Sequence, residues 1–216
     1  MRQLNSAEWR RLLRLFVADA EEMRPVLMTP FEQDGWVCST DNHVILRVDK
    51  KFIKDDYSTT KKTPKVASVM PQYDPEFAIT KTDLIQAFVR LHLDYNETEA
   101  DCPYCDEECE VEWEYTDHDG DKHTMWAECP CCGGSGHLRN GINRYCELNG
   151  ANLNSHYLIL LYHVMTDLAI DRATVTIGSM RQLRFNIAQG VDIVIMPVIL
   201  KDIRSKSVAS IKITKL

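Results

Sequence analysis

The sequence predicts an α+β fold in which a helix followed by three antiparallel strands occurs twice, with a small metal-binding β-ribbon inserted in the chain. Three observations carry this. Apolar residues Trp9, Leu12, Leu13, Phe16 and Val17 recur at i, i+3, i+4 spacing, which is an amphipathic helix. Short alternating segments bounded by turn residues follow it, and recur after a second helical stretch. Two CxxC pairs, Cys102/Cys105 and Cys129/Cys132, bracket EVEWEY and KHTMWAE, which alternate at strand period around the turn-rich TDHDGD. The predicted units are residues 1–100 with 138–216, and the inserted ribbon 101–137.

Ser6 is the expected N-cap of the first helix, AEWRRLLRLFVADAEEM, and Pro25 ends it. PVLMTPFE, GWVCST and HVILRVD read as three strands, with Cys38 a buried thiol in the second. KKFIKDDYSTTKKTPK (50–65) holds six lysines and two acids and reads as a mobile basic loop. FAIT is a short strand, and KTDLIQAFVRLHL a helix capped at Thr80 or Thr82. INRYCELNG gives a strand and turn, with Cys146 packed there. NLNSHYLILLYHVMTDL is apolar almost all round, so this helix is expected to be buried. His156 and His163 have no second ligand at i+4 and read as ordinary histidines. ATVTIG, LRFNIA and VDIVIMPVIL are the last three strands, and SVASIKITKL an edge strand.

Hydrophobic content of 44% and charged content of 26% fit a globular chain. No run of 18 apolar residues occurs, and MRQLNSAEWRR has no secretory h-region, so no membrane span is expected and the reducing cytoplasm is the expected compartment. Disulfides are disfavoured there and thiolate–metal ligation is favoured. Two CxxC knuckles at the base of a hairpin set four thiolates about 3.5–4 Å apart around one point, and zinc is the default metal for such a set. The expected ligands are Cys102, Cys105, Cys129 and Cys132, with Cys109, Cys131 and His137 as alternatives. The GGSG after Cys132 lets backbone N–H groups turn toward sulfur. CPCCGGSGH resembles one repeat of the cysteine-rich zinc module of DnaJ-type chaperones.

Charge is unevenly spread. Residues 96–128 hold thirteen Asp/Glu and one Lys, so the remainder of this −7 chain is net +5. The acidic ribbon repels phosphate backbones, which argues against a nucleic-acid-reading finger and for a protein contact or a purely structural role. Arg10, Arg11 and Arg14 lie off the apolar face of the first helix. With Lys50, Lys51, Lys54, Lys61, Lys62 and Lys65 they are the candidate DNA-backbone contacts, set against the plainer reading of a solvated face. P-loop, GxSxG, HExxH, GxGxxG and zinc-deaminase patterns are missing, and a site with four thiolates is closed to substrate, so no enzyme is expected.

GWVCSTDNHVILRV resembles the strand–turn–strand around TDGHRL in the bacterial DNA sliding clamp, the polymerase III β subunit. Thr40, Asp41 and His43 match, Asn42 replaces Gly and Val44 replaces Arg. NGANLNSHYLILLYHVMTD resembles the clamp's GFNxxYLxxxL helix through Asn152, Asn154 and Tyr157, and Met196–Pro197 resembles its terminal Met-Pro. The resemblance covers about 120 residues and skips the ribbon. It implies a clamp-like domain of two helix-plus-sheet halves with pseudo-twofold symmetry and no chemistry of its own. It implies a hydrophobic groove for partner peptides at Thr40, Asn42, His43, Val44, Met196, Pro197, Val198 and Leu200, and DNA facing Arg10, Arg11 and Arg14. In the family the turn and the Met-Pro end come from neighbouring domains, so in this chain they are expected to lie apart or to meet only across a subunit contact. A clamp chain has three such domains and two chains form a ring, so closure here implies a homo-oligomer. The other expectation is a protein-interaction or chaperone-like adaptor that grips its partner with the acidic ribbon.

Overall fold

The computed structural model describes residues 1–18, 24–93, 100–101, 105, 108–129, 137–138, 145–199, 208–211 and 214–215. The chain divides into two compact units, Met1–His92 with Arg144–Leu216, and Leu93–Asn143.

The first unit begins with helix α1, Ser6–Arg14. Its N-cap is Asn5, one residue before the predicted Ser6. Asn5 Oδ1 accepts from the N–H of Ala7 and of Glu8, and Glu8 Oε2 accepts the Asn5 N–H at 2.8 Å, a complete capping box. Serine at position 6 offers no Glu three residues later, which is why the box closes at Asn5 instead. The helix stops at Arg14, well short of Pro25, and Trp9, Leu12, Leu13 and Phe16 are buried. PVLM (Pro25–Met28) is a 3-10 turn opened by Pro25, so only Phe31–Gln33 is strand, β1. β2 (Trp36–Thr40) and β3 (Val44–Asp49) follow as predicted.

β4 (Phe77–Thr80) leads into α2 (Lys81–Leu93). Thr80 caps α2: Asp83 N–H reaches Thr80 Oγ1 at 3.2 Å while Asp83 Oδ2 accepts the Thr80 N–H at 2.8 Å. In the second unit, β5 (Ala100–Asp101) pairs with β8 (His137–Leu138), and β6 (Glu110–Thr116) with β7 (Lys122–Glu128). Back in the first unit, β9 (Tyr145–Leu148) and β10 (Ala151–Asn154) form a hairpin. The segment NLN, read from sequence as the start of a helix, is therefore strand, and α3 runs Ser155–Asp167 from an Asn154 cap. β11 (Arg172–Ile177), β12 (Leu183–Ala188) and β13 (Val191–Ile195) complete the second meander. β13 ends before Met196, because Pro197 carries no N–H for a continuing ladder. The tail gives two short strands rather than one: β14 (Val208–Ser210) lies parallel to β9, and β15 (Thr214–Lys215) antiparallel to β4.

The main sheet has the order β1-β2-β3-β13-β12-β11-β4-β15. α1 and α3 thus each feed a three-stranded meander, and the meanders join by their last strands. β3 and β13 pair antiparallel in the register Val48↔Val191, Leu46↔Ile193, Val44↔Ile195, so the two meanders run head to tail about this seam. This is an α+β, clamp-like fold. One sheet face, carrying Val44, Leu46, Val48, Phe185, Ile193 and Ile195, packs with the helices in the main core. The other face carries Phe31, Cys38, Ile45 and Val194, and is covered by Val66 and Met70.

That cover, Val66–Met70, follows directly on the lysine-rich segment 50–65. Gln33 Oε1 accepts the Val66 N–H at 3.1 Å, Gln33 Nε2 donates to Pro64 O at 3.1 Å, and Gln182 Nε2 donates to Val69 O at 3.3 Å. Apolar Ile53, Val66 and Met70 are buried while Lys51, Lys54, Lys61, Lys62 and Lys65 stay exposed.

Candidate functional site

The turn between β2 and β3 is built by side chains bonding their own backbone. Thr40 Oγ1 accepts the Asn42 N–H at 3.0 Å, and Asp41 Oδ1 accepts from His43 and Val44 at 2.8 and 2.9 Å. Asn42 sits at φ 80, the left-handed region that glycine and asparagine tolerate. This explains why asparagine can stand where the resembling motif has glycine.

Against that turn lies α3. Tyr157 Oη donates to Asp41 Oδ2 at 2.9 Å, and its ring stacks with His43 at 6.4 Å between centroids. Burial, reinforced by the Asp41 charge, pushes the Tyr157 hydroxyl pKa well above the ordinary phenol value. The phenol therefore stays a donor. The chain leaving β13 closes the site: Met196 N–H donates to His43 O and Val198 N–H to Asn152 O, both at 2.8 Å. Three stretches far apart in sequence thus meet within one unit of a single chain. The expectation that they would lie apart or meet only across a subunit contact is corrected. The physical reason is the β3–β13 pairing, which sets the end of β13 beside the start of β3. Thr40 and Val44 are buried and anchor the turn; His43 is exposed, Asn42, Met196, Pro197 and Val198 are half-buried, and Ile199 is 85% exposed. Leu200 lies outside the described residues. Tyr157 and Ile199 were missing from the sequence-based groove set. Tyr157 was legible only as part of the helix motif, and Ile199 was hidden inside an apolar run read as strand.

The basic residues fall into two groups. Arg10, Arg11 and Arg14 project from α1 into a groove of about 760 Å³ lined also by Ala7, Leu15, Thr29, Pro30 and Tyr57. Arg10 pairs with Asp55 at 2.9 Å and Arg11 with Asp167, leaving Arg14 as the arginine of this groove with no ion pair among the described residues. Lys50 pairs with Glu32 at 2.9 Å and Lys51 with Asp49 at 2.7 Å. Lys54, Lys61, Lys62 and Lys65 stand exposed in the lysine-rich segment 50–65.

In the second unit, Cys105 and Cys129 are buried in one cluster with Val111. Cys109, at φ 67, turns its carbonyl to accept the Cys129 N–H at 2.9 Å. Cys102, Cys131 and Cys132 lie outside the described residues, and His137 belongs to β8. Among the described residues no group of three or more His, Cys, Asp or Glu is arranged to hold a metal ion. The hairpin turn is organised by Asp117. Its carboxylate accepts from Asp119 and Asp121 at 3.0 and 2.9 Å and meets His123 Nε2 at 2.7 Å. The His123 bond, then those backbone donors, hold its pKa below the usual aspartate value. His156 and His163 are exposed on α3, each with its ring edge-on to a neighbouring tyrosine, Tyr157 and Tyr162. No helix among the described residues is long and apolar enough to cross a membrane.

No protein-family model matches the chain, and no curated protein matches it. Solved structures do. DNA polymerase III subunit beta from Borrelia burgdorferi matches at 13% identity and TM-score 0.50, over 88% of this chain and 61% of that one. The DNA polymerase sliding clamp from Caulobacter crescentus matches at 12% identity and TM-score 0.50, over 91% and 65%. The chain therefore spans less than two thirds of the length of these structures. Identity this low speaks for the fold alone.

Proposed function

We propose that this chain is a non-enzymatic, clamp-like DNA-associated binding protein, of replication-accessory type, that holds partner peptides at the turn–helix–tail site. The observation that carries the reading is the convergence of Thr40–Val44, Tyr157 and Met196–Ile199. Backbone bonds fix the rim, and apolar Met196, Pro197, Val198 and Ile199 are left partly or wholly open beside it. Such a surface suits a short apolar peptide. The clamp-like fold supports the same reading. Arg10, Arg11 and Arg14 on α1, with the exposed lysines of segment 50–65, would meet DNA phosphates without reading sequence. A homo-oligomer of this chain is the assembly this reading proposes for encircling DNA.

Zinc is the metal this reading assigns to the second unit, on Cys102, Cys105, Cys129 and Cys132, with Cys109, Cys131 and His137 as alternatives. Its support is the donor chemistry and the shared burial of Cys105 and Cys129. A hairpin this short and acidic buries little core, so metal binding would supply folding free energy.

Anisotropy of a labelled 30-base-pair duplex, titrated across salt concentrations, tests the DNA half. Binding should weaken linearly in log–log form, by roughly 0.9 in slope per phosphate contacted. Arg10→Gln/Arg11→Gln/Arg14→Gln should flatten that slope. Salt-independent binding, or an unchanged slope in the triple variant, rejects the reading.

A further inference from the structure

The hairpin of the second unit has two chemically different faces. In the β6–β7 register, Val111↔Ala127, Trp113↔Met125 and Tyr115↔His123 share one face. Glu110↔Glu128, Glu112↔Trp126 and Glu114↔Thr124 share the other. Cross-strand packing accounts for part of the apolar side, with Tyr115 and His123 stacked at 5.3 Å. Yet Trp113, Tyr115 and Met125 remain 48%, 50% and 52% exposed. β6 and β7 form a two-stranded sheet, so among the described residues the outer edge of β6 has no strand beside it. That edge carries the sorting most cleanly. Along β6, Glu110, Glu112 and Glu114 face one way, and Val111, Trp113 and Tyr115 the other.

We propose that the β6 edge is a docking site for an extended segment of a partner protein in which basic and apolar residues alternate, added to the ribbon as a third strand. Strand side chains alternate between faces with period two. A segment alternating Lys or Arg with Leu or Phe therefore places its cations over Glu110 and Glu112, Glu114 being paired with Lys122 at 2.6 Å, and its apolar side chains beside Trp113 and Tyr115, and backbone pairing supplies the common affinity. A lysine that overhangs the apolar face gains a ring to sit on. The acidic excess around the hairpin makes the charge match specific. The same excess argues against a second copy as occupant, because its β6 edge would set glutamates opposite glutamates. This inference is independent of the DNA reading, since it concerns the hairpin alone.

The test uses the full chain and two fluorescein-labelled probes of identical composition: a twelve-residue peptide alternating Lys and Leu, and a block peptide of six Lys followed by six Leu. The alternating peptide should bind at least tenfold tighter than the block peptide. Trp113→Ser/Tyr115→Ser and, separately, Glu110→Gln/Glu112→Gln should each weaken it about tenfold. The glutamine pair leaves the aromatic cross-strand contacts in place, so its loss of binding is not a loss of the hairpin. Equal binding of the two peptides reduces the site to bulk charge and overturns the proposal. So does unchanged binding in either variant, or concentration-dependent self-association of the peptide-free protein that Trp113→Ser/Tyr115→Ser abolishes.

Discussion

Asp192 offers the sharpest stability test, because it ties the two halves of the sheet at their seam. Its side chain is 1% exposed on β13. It accepts from Arg47 Nη2 at 2.6 Å on β3, from Arg184 at 3.0 and 3.2 Å on β12, and from Asn186 Nδ2 at 2.9 Å. Arg47 also lies over the Trp36 ring at 3.9 Å. Asp192→Ala leaves two guanidinium groups without their shared anion on a face closed by the cover segment. Breaking a buried pair from one side costs about 3–5 kcal/mol. The arginine side chains here keep 15% and 26% exposure, which allows some rehydration and places the cost at the low end, about 3 kcal/mol. For a chain of this size that corresponds to a fall in Tm of roughly 6–12 °C. Thermal and urea unfolding followed by circular dichroism reads it directly. The apolar triple Arg47→Met/Asp192→Leu/Arg184→Met should recover most of the loss, since replacing both arginines with Asp192 leaves no orphaned charge, only the neutral Asn186 amide to be rehydrated. A loss below about 1 kcal/mol in Asp192→Ala would refute the view that this network stitches the halves together.

Three further outcomes are expected. Tyr157→Phe removes one of three bonds to the Asp41 carboxylate and should cost about 1 kcal/mol in urea unfolding, with weaker apolar-peptide binding at the turn; unchanged values in both would sink the joint. Chelation should melt the ribbon 101–137 while the first unit keeps its circular dichroism signal and its protected amides, and a single cooperative loss of all structure would contradict separate folding. Burial pushes the Cys38 and Cys146 thiols up to about 12, above the unfolded value of 9.0. The unfolded chain then releases these protons first. The stabilisation is complete below pH 9, declines above it, and is gone once pH has risen through about 12. Urea midpoints measured at pH 8 and pH 10.5 should fall in the wild type and fall less in Cys38→Ala/Cys146→Ala.

Much of the fold was legible because the apolar spacing was regular where the core demanded it. Trp9, Leu12, Leu13 and Phe16 mark one helix face, and the alternating strands either side of Asn42 follow the pleat. The misreadings cluster where local chemistry overrides the period. Asn5 outcompetes Ser6 because only it has Glu8 three residues on. Leu153 continues an apolar pattern into α3, yet its neighbours pair with β9 before Asn154 caps the helix. The cover segment is anchored by Gln33 and Gln182, long-range partners that spacing cannot reveal. The site was legible in pieces. Thr40–His43, Tyr157 and Met196–Pro197 each stood out, but only the β3–β13 register brings them together. The two-faced hairpin was readable as alternation, whereas the exposure of Trp113 and Tyr115 was not.

The most direct check on the clamp-like account is a native mass spectrum of the purified full chain, which reports subunit number and bound metal at once. The account predicts a closed assembly of identical copies with one zinc per chain. A metal-free monomer would contradict it, removing both the encircling geometry and the metal-stabilised ribbon.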